Sequence, residues 1–319
     1  MLYFILLILS NSLIFNYEPD PSSYSLLLPK VRKDVINTIL SSLTNKRKLN
    51  ILQMSEEMAK FKKENTLNEA ESAYLIYRWI GKNIWFDCNN RENNEYQFPK
   101  NVYDKEIGNF IGFAALFNIF ASNLDIKVVP IQGIQKITTE TNENFKNVNS
   151  TWNAILIDNN YYLVNSALGA GYCTETFEHT ETDFFFGTKP EFFIRNHFPD
   201  EIKWQLLNDK ITFDKFNSWP YISYRFYMQG MKTLSPDDVL DVSYGSKVVL
   251  TYEKENTGLS IRTKFVKNRK YTQYEGVNVS NGKVVIAFDG KFTSEDYLII
   301  YANQEGTTYY TIIIYKIKK

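Results

Sequence analysis

Two cysteines, Cys88 and Cys173, and two histidines, His179 and His197, are the residues of this chain best equipped for nucleophilic and general-base work. A thiolate activated by an imidazole attacks acyl carbons, so a Cys–His pair would point to amide chemistry. Cys173 and His179 lie only six residues apart, and a pair that close usually shares one loop and is seldom aligned as a dyad. Two thiols make no disulfide scaffold; they form one bridge or stay free, and the sequence leaves both open. No CxxC or His/Cys ligand spacing is present, and the two histidines are eighteen apart, so neither a metal nor another cofactor is expected. The acidic stretch "EHTETD" lacks the glycine and terminal bidentate glutamate of a calcium loop and reads as solvated.

A reactive thiol is best placed at a helix N-terminus, where free N–H donors and the helix dipole favour negative charge. The segment "EIGNFIGFAALF", residues 106–117, offers such a helix, buried and running from about Phe110 to Asn123. Its first residues are Asn109, Phe110 and Ile111, none of which is a nucleophile. Before it, residues 30–65 read as helical and amphipathic. Thr66 with Glu69 has the spacing of a capping box, ahead of a helix with Ala73, Tyr77, Ile80 and Ile84 on one face. After it the period changes: "KVVPIQGIQKI", "STWNAILID" and "YYLVNSAL" read as three strands of an antiparallel meander. A helix packed across such a sheet is an α+β arrangement. The aromatic segment "ETDFFFGTKPEFFIRNHFPDEIKWQLL" reads as a covering layer outside the sheet, with its phenylalanines in the core. From Leu234 onward six or seven short strands follow, with Asn281-Gly282 as a hairpin turn. They predict an all-β sandwich of Ig-like size.

The chain has 319 residues, 44% hydrophobic and 16% aromatic, enough for two packed domains. Lys plus Arg and Asp plus Glu both number 36, which argues against a nucleic-acid partner. The uncharged run from Ile107 to Leu124 is broken by polar residues, so no transmembrane span is expected. Residues 1–16 have the apolar run of a secretory signal without its positive start. With the sequons at Asn149 and Asn278 they predict a secreted or secretory-pathway protein, the alternative being a cytoplasmic one with a packed N-terminal segment. The expected division is a signal at 1–16, an α+β domain over 17–233 and the sandwich over 234–319.

Four blocks carry a family resemblance. "YRWIGKNIWFD", "GNFIGFAALF", "STWNAILIDNNYYLVNSALGAGY" and "FFFGTKPEFFIRNHFPDEIKWQLL" occur in the order of the transglutaminase-like (papain-like) superfamily and resemble its kyphoscoliosis-peptidase branch, from about residue 68 to 207. The resemblance implies a cysteine at the helix start, a histidine on the second strand and an aspartate following the third. Those positions fall on Phe110, Ser150 and Asn165. Leu168 also departs from the pattern, in place of a tryptophan, while Trp152, Asn153, Gly169, Ala170 and Gly171 keep it. A phenylalanine cannot attack, a serine hydroxyl is no base at neutral pH, and Asn165 has no catalytic imidazole to orient. His197 falls on a family histidine outside the catalytic set. The expectation is a pseudoenzyme that binds a protein or peptide, with Trp152 as a candidate cleft residue. The alternative is a divergent cysteine amidase or transamidase with a displaced nucleophile such as Cys173.

Overall fold

The computed structural model describes residues 19–44, 46, 48–90, 93–136, 147–253, 258–304 and 308–318. The signal expected over residues 1–16 lies outside them. Two compact units meet in sequence between Ile222 and Ser223. The boundary precedes the expected 233/234 because the strand Met231–Ser235 pairs with Lys247–Tyr252 and so belongs with the second unit.

In the first unit, the helical stretch read over 30–65 is two helices, α1 (Lys33–Thr44) and α2 (Ile51–Glu64). Asn50 starts α2 through a capping box with Gln53. The next helix, α3 (Glu69–Asn83), is capped by Asn68 and not by Thr66. Asn68 accepts the Glu71 N–H, and Glu71 accepts the Asn68 N–H in return. Glu71 also receives the Arg32 guanidinium on both oxygens. Arg32 first, opposed by burial and helped by the backbone donors, holds the Glu71 carboxyl below its usual pKa. Ala73, Tyr77, Ile80 and Ile84 are all buried, as their spacing predicts.

The short strand β1 (Trp85–Phe86) follows, then α4 (Pro99–Lys105) and β2 (Ile107–Gly108), which pairs with β1 in parallel. The central helix α5 (Phe110–Asn123) buries Phe113, Leu116, Phe117 and Phe120 completely or nearly so. Each such side chain contributes roughly 1.5–3 kcal/mol of apolar burial, which explains why this helix is apolar on almost every side. It packs on strands β3 (Lys127–Gln135) and β4 (Ser150–Ile157). No helix among the described residues is long and apolar enough to cross a membrane.

The sheet continues with β5 (Asn160–Val164), and the "NSAL" residues expected in that strand begin instead a short helix, α6 (Ser166–Ala170). A two-stranded ribbon, β6 (Gly171–Cys173) and β7 (Phe177–His179), comes next. The aromatic segment is not merely a cover. It supplies β8 (Phe186–Thr188), a short helix α7 (Pro190–Phe193) and β9 (His197–Pro199). The two strands close the edges of an antiparallel sheet of order β8-β5-β4-β3-β9. Three-residue edge strands between turns leave too short an alternation to read. Phe184, Phe185 and Phe186 are buried as expected. The unit ends with α8 (Phe213–Ser218) and β10 (Tyr221–Ile222).

The second unit opens with α9 (Tyr224–Met228) and then holds only strands. In order these are β11 (Met231–Ser235), β12 (Lys247–Tyr252), β13 (Leu259–Lys267), β14 (Lys270–Tyr274), β15 (Val277–Ser280), β16 (Lys283–Ala287), β17 (Tyr297–Gln304) and β18 (Tyr310–Lys316). One antiparallel sheet has the order β11-β12-β16-β15, and the other runs β18-β17-β13-β14. "KYTQYEGVNV", read as one strand, is two, β14 and β15, one in each sheet. The Asn281-Gly282 turn is as expected: both residues have positive φ, 49° and 75°, between β15 and β16.

Candidate functional site

α5 starts at Phe110, the position onto which the sequence resemblance carries a nucleophile. Asn109 caps it, accepting the Gly112 N–H at 3.0 Å, while its own amide donates to the Asn93 carbonyl. Phe110 is 8% exposed, and its ring lies 4.5 Å from that of Phe86 on β1. The first residue of the helix thus contributes to an aromatic core. Gly112 explains how close the preceding chain comes: a Cβ there would lie 2.0 Å from the Tyr96 carbonyl oxygen. Gly112→Ala therefore forces the Asn94–Gln97 turn off the helix. Ala gains about 1 kcal/mol of helix propensity, but overpacking costs typically 1–3 kcal/mol, and backbone in contact yields least. The expected result is a lower thermal midpoint and new protease cuts in residues 93–98; an unchanged midpoint would contradict this packing.

The other two positions are brought together. Ser150, at the start of β4, donates from Oγ to Oε1 of Gln135 at 2.8 Å. Asn165 donates from Nδ2 to the same oxygen at 3.4 Å and lies 3.2 Å from Nε2 of His197. His197 Nδ1 is 3.2 Å from the Phe193 carbonyl. A neutral imidazole satisfies both contacts when Nδ1–H donates to Phe193 and Nε2 accepts from Asn165. Asn165 Oδ1 in turn caps α6 by accepting the Leu168 N–H. All four side chains are at least 97% buried. Burial drives the His197 pKa down from 6.5 to about 3, against the smaller opposing effect of the Phe193 hydrogen bond. Ser150 and Asn165 thus join one buried polar network, built of amides, a hydroxyl and an uncharged imidazole. Such a network orients strands β3, β4 and β9 against α6.

Sequence reasoning missed Gln135 and left His197 outside the site. Gln135 sits at the last position of β3, where no pattern marks it. His197 is stacked on Phe193, with ring centroids 3.9 Å apart, and edge-on to Trp152. Trp152 itself is 2% exposed, so it is a core residue and not a cleft residue. β4 is covered on both faces, and truncating Trp152 would report on packing before it reported on any ligand.

Cys173 is bonded to Cys88, with Cα atoms 5.8 Å apart, and there is no free cysteine. The displaced nucleophile considered for Cys173 is therefore not available as a thiol. The bridge ties the end of β6 to the loop after β1. The acidic stretch before the aromatic segment is not solvated throughout: Asp183 pairs with Lys33 and Arg78 and accepts the Tyr74 hydroxyl, and Glu181 pairs with Arg78. Burial raises the Asp183 pKa, but Lys33, Tyr74 and Arg78 outweigh it and hold the carboxyl below the usual range. No metal-holding cluster of His, Cys, Asp or Glu occurs among the described residues. Of the two sequons, Asn278 is exposed on β15. Asn149 is engaged: its side chain accepts the Gln135 N–H and donates to the Gln135 carbonyl.

Helices packed on an antiparallel sheet, with Phe110 at a helix start, Ser150 on a strand and Asn165 after the next, make an α+β unit in the order that the sequence resemblance implies. No protein-family model matches the chain. It is 27% identical to mouse kyphoscoliosis peptidase over 193 residues, 58% of this chain and 29% of the relative. The human kyphoscoliosis peptidase is also 27% identical, over 192 residues. The match thus spans under a third of the length of these curated relatives. A solved structure titled as a TGase aligns with a TM-score of 0.27 and 12% identity, over 47% of this chain and 34% of its own. Through its four motif blocks and these relatives, the chain is similar to transglutaminase-like proteins, on their kyphoscoliosis-peptidase branch.

Proposed function

We propose that this chain is a pseudoenzyme, a catalytically inactive transglutaminase-like protein that acts as a protein-binding or scaffold module. The observation that carries the reading is the occupancy of the three catalytic positions. Phe110 is packed against Phe86, and Ser150 and Asn165 share one amide oxygen of Gln135 in place of an imidazole–carboxylate pair. An imidazole held neutral by burial and engaged at both nitrogens has no nucleophile to deprotonate. The relatives are named peptidases; the sequence resemblance sets Phe110, Ser150 and Asn165 where that chemistry would need other residue types. The second unit is proposed to be an immunoglobulin-like sandwich, supported by its two antiparallel sheets. The secretory pathway is proposed as its compartment, supported by the Cys88–Cys173 bridge and the exposed Asn278 sequon.

The test is turnover by the full chain. Ammonia release from a glutamine peptide with an amine acceptor, and hydrolysis of the same peptide, are expected to equal the rate without protein. Activity that persists through repeated purification and disappears in Ser150→Ala or His197→Leu would overturn the reading.

A further inference from the structure

We infer that the outer face of the β14-β13-β17 sheet in the second unit is a docking surface for an acidic polypeptide segment. Strand register sorts the side chains. Leu259, Thr263 and Phe265 of β13 are buried, with Leu298, Ile300 and Ala302 of β17 beside them. Their neighbours point the other way: Arg262, Lys264 and Val266 on β13, opposite Tyr301, Ile299 and Tyr297 on β17. Tyr271 and Gln273 continue this face on β14.

Within the strands, the charged residues on this face are Arg262 and Lys264, both positive. Arg262 and Lys264 face outward, and neither has an ion-pair partner among the described residues. Each lies instead over a ring. The Lys264 ammonium is 5.9 Å from the Tyr271 centroid and 5.6 Å from that of Tyr301. The Arg262 guanidinium is 4.0 Å from Tyr309. One acid lies in this register, Glu275, just past the end of β14 and opposite Arg262, and it accepts a hydrogen bond from Gln273. Over at β18, α9 covers part of the sheet, with Arg225 over Tyr310.

Cations over tyrosines remain able to accept a carboxylate from outside, and they are held in place before it arrives. Val266 and Ile299 between them give the face an apolar centre. Tyrosine and arginine around an apolar centre is the composition of protein interfaces. A polysaccharide would find the charge but have little use for the two aliphatic side chains. The occupant that fits is a peptide segment carrying carboxylates with apolar residues between them.

The probe is a labelled short peptide alternating glutamate with leucine, added to the full chain. Controls are the glutamine–leucine peptide and a sulfated glycan. The acidic peptide is expected to bind with an affinity that falls with salt, and the double variant Arg262→Glu with Lys264→Glu to weaken it by about tenfold or more. Tyr271→Ala, which removes an exposed ring, serves as a second variant, and thermal midpoints check that all forms fold. Three results would each overturn the inference: no binding at about 1 mM peptide, equal binding by the charge-reversed chain, or binding of the sulfated glycan alone.

Discussion

Replacing both cysteines, as Cys88→Ala with Cys173→Ala, is expected to lower the stability of the first unit by roughly 4–5 kcal/mol. The bridge closes a loop with a sequence separation of 85. In the chain-entropy account, the cost of leaving such a loop open grows with the logarithm of its length, and this loop is long. The segment it encloses includes α4, α5 and the meander, so the reduced unfolded chain regains freedom over much of the unit. All five tryptophans lie between Asp20 and Ile222, so tryptophan fluorescence during denaturation reads this unit without the other. A shift below about 1 kcal/mol would show that the bridge is an ornament of the folded state, or that the unfolded state is already constrained.

The second large effect is a pH dependence that His197 imposes. Its folded pKa is about 3 against 6.5 in the unfolded chain. Between those values the unfolded state binds the proton and the folded state does not. The His197 contribution is therefore complete above pH 6.5 and falls with acidification at about 1.4 kcal/mol per pH unit, a loss of roughly 3 kcal/mol by pH 4.5. Asp183 and Glu71, whose pKa values are depressed, begin to lose their contribution only as pH falls through their unfolded values, 3.8 and 4.5, so they add only at the acid edge of this window. His197→Leu lowers the plateau because Asn165 loses its acceptor; the diagnostic is the slope. Stability of the variant between pH 4.5 and 6.5 is expected to be flatter by the amount given. An unchanged slope would mean that His197 is not the titrating group.

The elements that position the site were legible where a local rule operated alone. α5 begins at Phe110 and ends at Asn123 as read, because Asn109 caps it and an unbroken apolar run follows. The hairpin at Asn281-Gly282 was legible for a similar reason, since few residue pairs take two consecutive positive φ values. Thr66 misled because two capping boxes overlap in sequence, and the one at Asn68 and Glu71 gains a second partner in Arg32, far away in the chain. Of the candidate site, Phe110, Ser150 and Asn165 were singled out from the sequence, but not the network that joins the last two. Gln135, Asn165 and His197 come from strand ends that only the sheet brings together. The disulfide was undecidable, since nothing between Cys88 and Cys173 records that β6 returns beside β1.

The proposed pseudoenzyme holds no activated thiol, since Cys88 and Cys173 are bonded to each other. Intact mass of the native, unreduced chain after exposure to a thiol-reactive peptide electrophile tests it most directly, with Phe110→Cys as a comparison. The account predicts a native mass without adduct that rises by two hydrogens on reduction of the Cys88–Cys173 bridge, and labelling at residue 110 of the variant if the new thiol is reachable. A rapid single adduct on Cys88 or Cys173 of the native chain would contradict it and place a working nucleophile where the structure has a disulfide.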